Sequence, residues 1–251
     1  MSKMTGIFPL RGTIDGVTFS DTKDGNIAKK KSRLDKARLA TDPAFIRTRE
    51  NGAEFARSAT AGKLLRNALS SLANGVSDNR VVSRLVRVMA KVIKSDTVNA
   101  RGMRTVSEGN TVLLEGFDFN IKRELLTTFK VPFSATINRV TGELAINIPA
   151  FVATDQLSAS PKATHYRIIS AGIEADFDLN KTVVDIKNSG DQFIDNSTTT
   201  PLVLTHTMAA NSTKPLIIAL GIVFFEKVNG KLYPLTDSSF SCLSLVKVSK
   251  S

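Results

Sequence analysis

The sequence predicts an α+β fold: an N-terminal β-meander and an antiparallel helical hairpin, followed by an antiparallel β-sandwich. Three observations predict it. Asp15-Gly16 and Asp24-Gly25 punctuate short alternating segments near the start, and Asp-Gly tolerates the positive φ that tight hairpins need. Apolar residues then recur in steps of three and four between residues 55 and 93, the period of a helix face. Beyond residue 104 the pattern shortens to alternation over many short segments, which favours antiparallel sheets packed face to face.

The meander takes residues 8–14, 17–20 and 26–32, the last too polar for a central strand and better suited to an edge or arm. Residues 33–42 read as a charged linker. Thr41-Asp42-Pro43 starts a helix, with a capping side chain before a first-turn proline. Its apolar face is Phe55, Ala59, Gly62, Leu65, Leu69 and Leu72, with Asn51-Gly52 as an early kink and Asn74-Gly75 as its end. A second helix runs from Ser77-Asp78 to about Asp96 on Val81, Leu85, Val88, Met89, Val92 and Ile93. The short connection makes the two an antiparallel pair. Strand candidates follow at residues 112–114, 117–121, 129–138, 143–149, 166–171, 173–179, 201–208, 215–227, 231–235 and 240–248. Asn229-Gly230 marks a tight hairpin. Residues 188–200 form a polar loop. The expected division is a basic module, residues 1–104, and a sandwich, residues 105–251.

Charge supports that division. Residues 1–104 hold 21 Lys and Arg against 9 Asp and Glu, whereas residues 105–251 hold 13 against 14. A basic module facing a polyanion or an acidic protein surface is a statement about association, not fold. The single cysteine, Cys242, excludes a disulfide within one chain. The first ten residues lack the apolar stretch of a secretory leader, and the longest apolar run, residues 215–225, is shorter than the ~20 residues of a membrane helix. A cytoplasmic protein without a membrane span is the expectation.

Arg80, Arg84, Arg87, Lys91 and Lys94 are spaced by four, three, four and three. That spacing stacks them on one stripe, roughly 21 Å long. No Asp or Glu occurs between Asn79 and Ser95. The stripe fits a phosphate backbone, the acidic face of a neighbouring copy, or a solvated face whose long stems lie over apolar surface. Lys29, Lys30, Lys31 and Arg33 form a second cluster, either an arm or an exposed edge. Aromatic residues are not interleaved with these cations, so any nucleic-acid contact is expected with the backbone and not the bases.

No reaction is encoded by a motif. Residues 61–65, Ala-Gly-Lys-Leu-Leu, lack the first glycine of a phosphate loop and its metal-holding Ser or Thr. Two histidines, His165 and His206, with one cysteine do not make a zinc site. No nucleophile elbow is present, and Asp118, Asp176 and Asp178 read as polar strand positions and not as an acid/base pair. No catalytic residue, cofactor, metal or small-molecule substrate is therefore expected.

Several segments carry a resemblance: residues 22–25 (Thr-Lys-Asp-Gly), 42–45 (Asp-Pro-Ala-Phe), 47–55 (Arg-Thr-Arg-Glu-Asn-Gly-Ala-Glu-Phe), 61–66, 82–85, 138–144 (Asn-Arg-Val-Thr-Gly-Glu-Leu) and 212–215. Together they resemble a family of uncharacterised proteins found widely in Bacteroidota, across nearly the whole chain. That family has no assigned activity, so the resemblance implies this order of parts and no site residue. The functional expectation is a non-enzymatic, self-assembling structural subunit of a filament, tube or shell, whose partners are other copies of itself. The alternative is a protein that binds DNA or RNA backbones through residues 29–104.

Overall fold

A computed structural model describes residues 2–3, 11–22, 25–30, 35–73, 76, 78–235 and 241–250. The chain divides into two compact units, Met1–Arg49 and Glu50–Ser251. The boundary expected at residue 104 therefore moves back, because the helices of residues 50–94 share a core with strand residues from Ile169 to Val248.

In the first unit, β1 (Ser2–Lys3), β2 (Gly12–Ile14), β3 (Val17–Thr22) and β4 (Gly25–Lys30) form an antiparallel sheet in the order β1-β4-β3-β2. Asp15 and Gly16 both take positive φ, 46° and 76°, as a tight hairpin requires. Asp24 lies outside the described residues. Where a linker was expected, α1 (Lys36–Thr41) forms, because the Asp35 carboxylate accepts from the Ala37 N–H at 3.1 Å. Asp42 then caps a 3₁₀ turn, Pro43–Phe45.

The second unit is built in three layers. α2 (Ile46–Ala68), which begins in the first unit, runs unbroken through Asn51-Gly52 and is followed by α3 (Ser70–Ala73) and α4 (Val81–Lys94). Asn74, Gly75 and Ser77 lie outside the described residues. α2 passes α4 at Gly62, where an added Cβ would stand 3.6 Å from Leu85 and Val86. The short α5 (Leu125–Thr128) leads to β5 (Ser134–Asn138) and β6 (Glu143–Ile148), and α6 (Ala153–Gln156) to β7 (His165–Asp176). β8 (Lys181–Asn188), β9 (Gln192–Phe193), β10 (Leu202–Thr207), β11 (Leu216–Val228), β12 (Lys231–Pro234) and β13 (Cys242–Ser249) complete it.

One sheet runs β12-β11-β7-β8, with β13 also on β11 and β9 on β7, and a second runs β10-β6-β5. All pairings are antiparallel. β7 and β11 are apolar on both faces. Ile169, Ala171, Ile173, Ile217 and Ala219 meet the helices. Ile168, Leu216, Ile218, Leu220 and Phe224 meet Leu144, Ile146 and Leu204 of the smaller sheet. This double burial is why residues 215–225 read as an uninterrupted apolar run.

Four strand expectations change. Residues 112–114 fall in a 3₁₀ turn, Thr111–Leu114, started by the Asn110 side chain. Residues 117–121 run beside β13 through backbone bonds from Gly116 and Phe119 but form only an isolated bridge, Asp118 to Ser244. Residues 129–138 are strand only from Ser134. The segments at 166–171 and 173–179 are one strand. β8 was not expected, since its Val183 and Ile186 face solvent and blur the alternation.

Candidate functional site

Arg80, Arg87, Lys91 and Lys94 are exposed along α4, and among the described residues none makes an ion pair. Arg80 stands at the N-cap, just outside the helix. Arg84 is not part of this free ridge. Its guanidinium donates to the Asp78 carboxylate at 2.5 Å and to the Asp118 carbonyl at 2.7 Å, and lies 5.1 Å from the centre of the Phe117 ring. The stripe expected to be uniform is thus broken by a carboxylate three residues before α4 begins. Burial works against the Asp78 charge, but N–H bonds from Ile121 and Arg80 and the Arg84 guanidinium outweigh it and lower its pKa.

Lys29 and Lys30 are exposed at the end of β4, opposite Thr18 and Val17, so they point to opposite faces of that sheet. Lys31 and Arg33 lie outside the described residues.

Sequence reasoning missed a cleft of about 540 Å³ where the N-terminal half of α2 faces the C-terminal end of α4. Asn51, Glu54, Phe55 and Ser58 line one wall, Ala90 and Lys94 the other, and Arg101 and Arg104 enter from the following loop. Phe55 was expected on the buried face of α2. The helix instead buries Glu54, Ser58, Ala61, Gly62 and Leu65, and Phe55 is 63% exposed. The phase is set by a bond no local pattern encodes: Glu54 Oε1 accepts from the Gly102 N–H at 2.8 Å. Arg57 holds the same loop by donating to the Gly102 and Arg104 carbonyls.

Asp96 fixes the loop from inside. It is 2% exposed and accepts from the backbone of Val98, Asn99 and Thr105 and from the Asn99 side chain. Burial alone would raise its pKa, but these bonds prevail and hold it far below the usual carboxylate range. Arg101 reaches Asn51 at 2.9 Å and Glu50 at 3.5 Å. The Nε of Arg104 is buried and meets no acceptor among the described residues. The cleft therefore presents three cations against one engaged carboxylate, beside an exposed ring.

The other chemistry-bearing groups are occupied or enclosed. Ser170, His206 and Asp185 line up in the order of a catalytic triad, with Ser170 Oγ 2.8 Å from His206 Nε2 and Asp185 3.5 Å from Nδ1. Ser170 and His206 have no exposed surface, however, and Ser170 Oγ donates to the Ala219 carbonyl. Ser170 and His206 tie the two sheets together out of reach of solvent, and only Asp185 is partly exposed. His165 is buried against the Phe193 ring. Asp176 is held by Lys214 at 2.8 Å, which with the Leu179 N–H lowers its pKa. Burial pushes the Cys242 thiol up to about 12, so it stays protonated and inert. Among the described residues no cluster of His, Cys, Asp or Glu could hold a metal ion, and no helix is long and apolar enough to cross a membrane. No family model, curated protein or solved structure matches the chain.

Proposed function

We propose that the protein is a non-enzymatic, self-assembling structural subunit of a filament, tube or shell, working in the cytoplasm, and that its N-terminal sheet joins one copy to the next. One observation carries this reading: among the described residues of Met1–Arg49, none is buried. The register places Ile14 beside Val17 and Phe19 between Gly12 and Ala28, so Ile14, Val17, Phe19 and Ala28 share one face. Ile14 is 55% exposed. A sheet this small needs a covered apolar face to be stable. A neighbouring copy can cover this face with a different surface of its own, and a head-to-tail contact of that kind repeats from copy to copy into a ring or an open filament.

The test is sedimentation and negative-stain microscopy of wild-type protein and Phe19→Asp. The wild type is expected to form large particles, and the variant to remain monomeric with unchanged circular dichroism. A wild type that stays monomeric at its highest soluble concentration, or a variant that assembles normally, overturns the reading.

A second reading has its own support. The exposed Arg80, Arg87, Lys91 and Lys94, without an ion pair among the described residues, suit a DNA or RNA backbone, and retention should then fall steeply with salt as counterions are released. Salt-independent retention counts against it.

A further inference from the structure

Resting on that second reading, we infer that the cleft between α2 and α4 is a binding site for single-stranded nucleic acid, in which a base stacks on Phe55 while Lys94, Arg101 and Arg104 take the adjoining phosphates. Sequence spacing had argued against base contacts because no aromatic residue lies among the cations of α4. The fold supplies one from another helix: Phe55 lines the same cleft as Lys94, Arg101 and Arg104.

Three features of the cleft fit this ligand. Its volume, about 540 Å³, lies within the ~300–1,000 Å³ of small-ligand sites, room for one or two nucleotides and not for a duplex. An exposed ring beside cations is the arrangement that holds single strands without sequence preference, since every base has a π face. The Arg104 side chain lines the cleft beside Lys94 and Arg101, and a guanidinium forms strong charge-assisted bonds with phosphate oxygens. The Glu54 carboxylate also lines the cleft. Its bond to Gly102 N–H leaves it a place to accept from an exocyclic amine or sugar hydroxyl, and it steers phosphate toward the three cations. Lys94 belongs to both cleft and ridge. A strand leaving the cleft therefore meets Lys91 and Arg87 next along α4, which favours a polymer over a lone nucleotide.

The experiment is fluorescence anisotropy of the full chain with labelled oligothymidylate of about 20 nucleotides, a duplex of equal length, and polyphosphate as competitor. The single strand should bind more tightly than the duplex. Phe55→Ala should weaken single-strand binding about tenfold or more while leaving competition by polyphosphate unchanged. Phe55→Tyr should restore it, and Arg104→Gln should weaken both ligands. Because Phe55 is exposed, its variants are expected to keep the wild-type melting curve. If Phe55→Ala binds like the wild type, or duplex and single strand bind equally, while Arg87→Glu with Lys91→Glu abolishes retention, the cleft assignment fails and the ridge reading survives. If the wild type retains no polyanion at low salt, both fail.

Discussion

Arg84 and Arg87 differ by three positions and have opposite fates. Both carry a full charge on the polar side of α4, and spacing alone gives them one role. Asp78 separates them, because it lies where the guanidinium of Arg84, but not that of Arg87, can reach it. The same carboxylate accepts the N–H of Arg80 at 2.6 Å and of Ile121 at 2.9 Å. Arg84 therefore joins the start of α4 to the segment entering β13's neighbourhood, with its side chain only 20% exposed. Charged, partly buried bonds of this kind are worth about 1.5–3 kcal/mol each. Arg84→Ala should lower unfolding free energy by about 2 kcal/mol in urea titration, whereas Arg87→Ala should move it by less than about 0.5 kcal/mol, as surface substitutions usually do. Equal effects would show that the Asp78 clamp contributes nothing to the fold.

The elements whose signals are local were legible in the sequence. The face of α4 was read position by position, and the turns at Asp15-Gly16 and Asn229-Gly230 take the positive φ their residues announce. α1 was hidden because a single cap, Asp35, starts a short helix in a charged stretch. The face expected from Gly62 to Leu72 is buried, but at the start of α2 it is Glu54 and Ser58 and not Phe55 and Ala59 that turn inward, Glu54 meeting a partner 48 residues away. His206 shows the same limit between elements. On β10, it reaches Ser170 on β7 and packs so closely that an added Cβ on Gly172 would fall 2.6 Å from its own Cβ. Nothing in either strand's alternation marks this bridge. Burial disfavours the charged imidazole and lowers its pKa, with Lys187 acting in the same sense and Asp185 opposing. The unfolded chain then takes up the proton first, near pH 6.5. The bridge's contribution is fully present above that pH and declines as pH falls toward the lower folded pKa. Urea midpoints should accordingly drop as pH falls below about 6.5, and His206→Gln should flatten that segment. An unchanged slope in the variant would mean that His206 is not the group responsible.

At the scale of the molecule, the sequence yields the classes of element but not their layering. A helical pair followed by a β-rich segment reads as two modules, yet the larger sheet of Glu50–Ser251 is covered on both faces, by helices and by a second sheet. Which surfaces meet is decided by contacts between distant segments, and the candidate cleft is hidden for that reason too. The two units also differ in what holds them. Glu50–Ser251 encloses two apolar clusters, whereas the described part of Met1–Arg49 buries no residue. Local opening is easiest where few apolar contacts are lost, so the first unit of an unassembled copy should open far more readily than the second. Limited trypsin digestion of dilute protein reads this directly. Lys29, Lys30 and Arg38 offer cleavage points within the first unit. Cleavage there should run well ahead of any cut among the cations of β7, β11 and β13, leaving a resistant fragment that starts near residue 50. Raising the protein concentration into the assembly range should slow the first cuts in Met1–Arg49 while leaving the fragment's own lifetime unchanged, because only the first unit gains cover from a neighbour. Protection already complete in monomeric protein would mean that Ile14, Val17 and Phe19 need no second copy, and the assembly reading would fall with it.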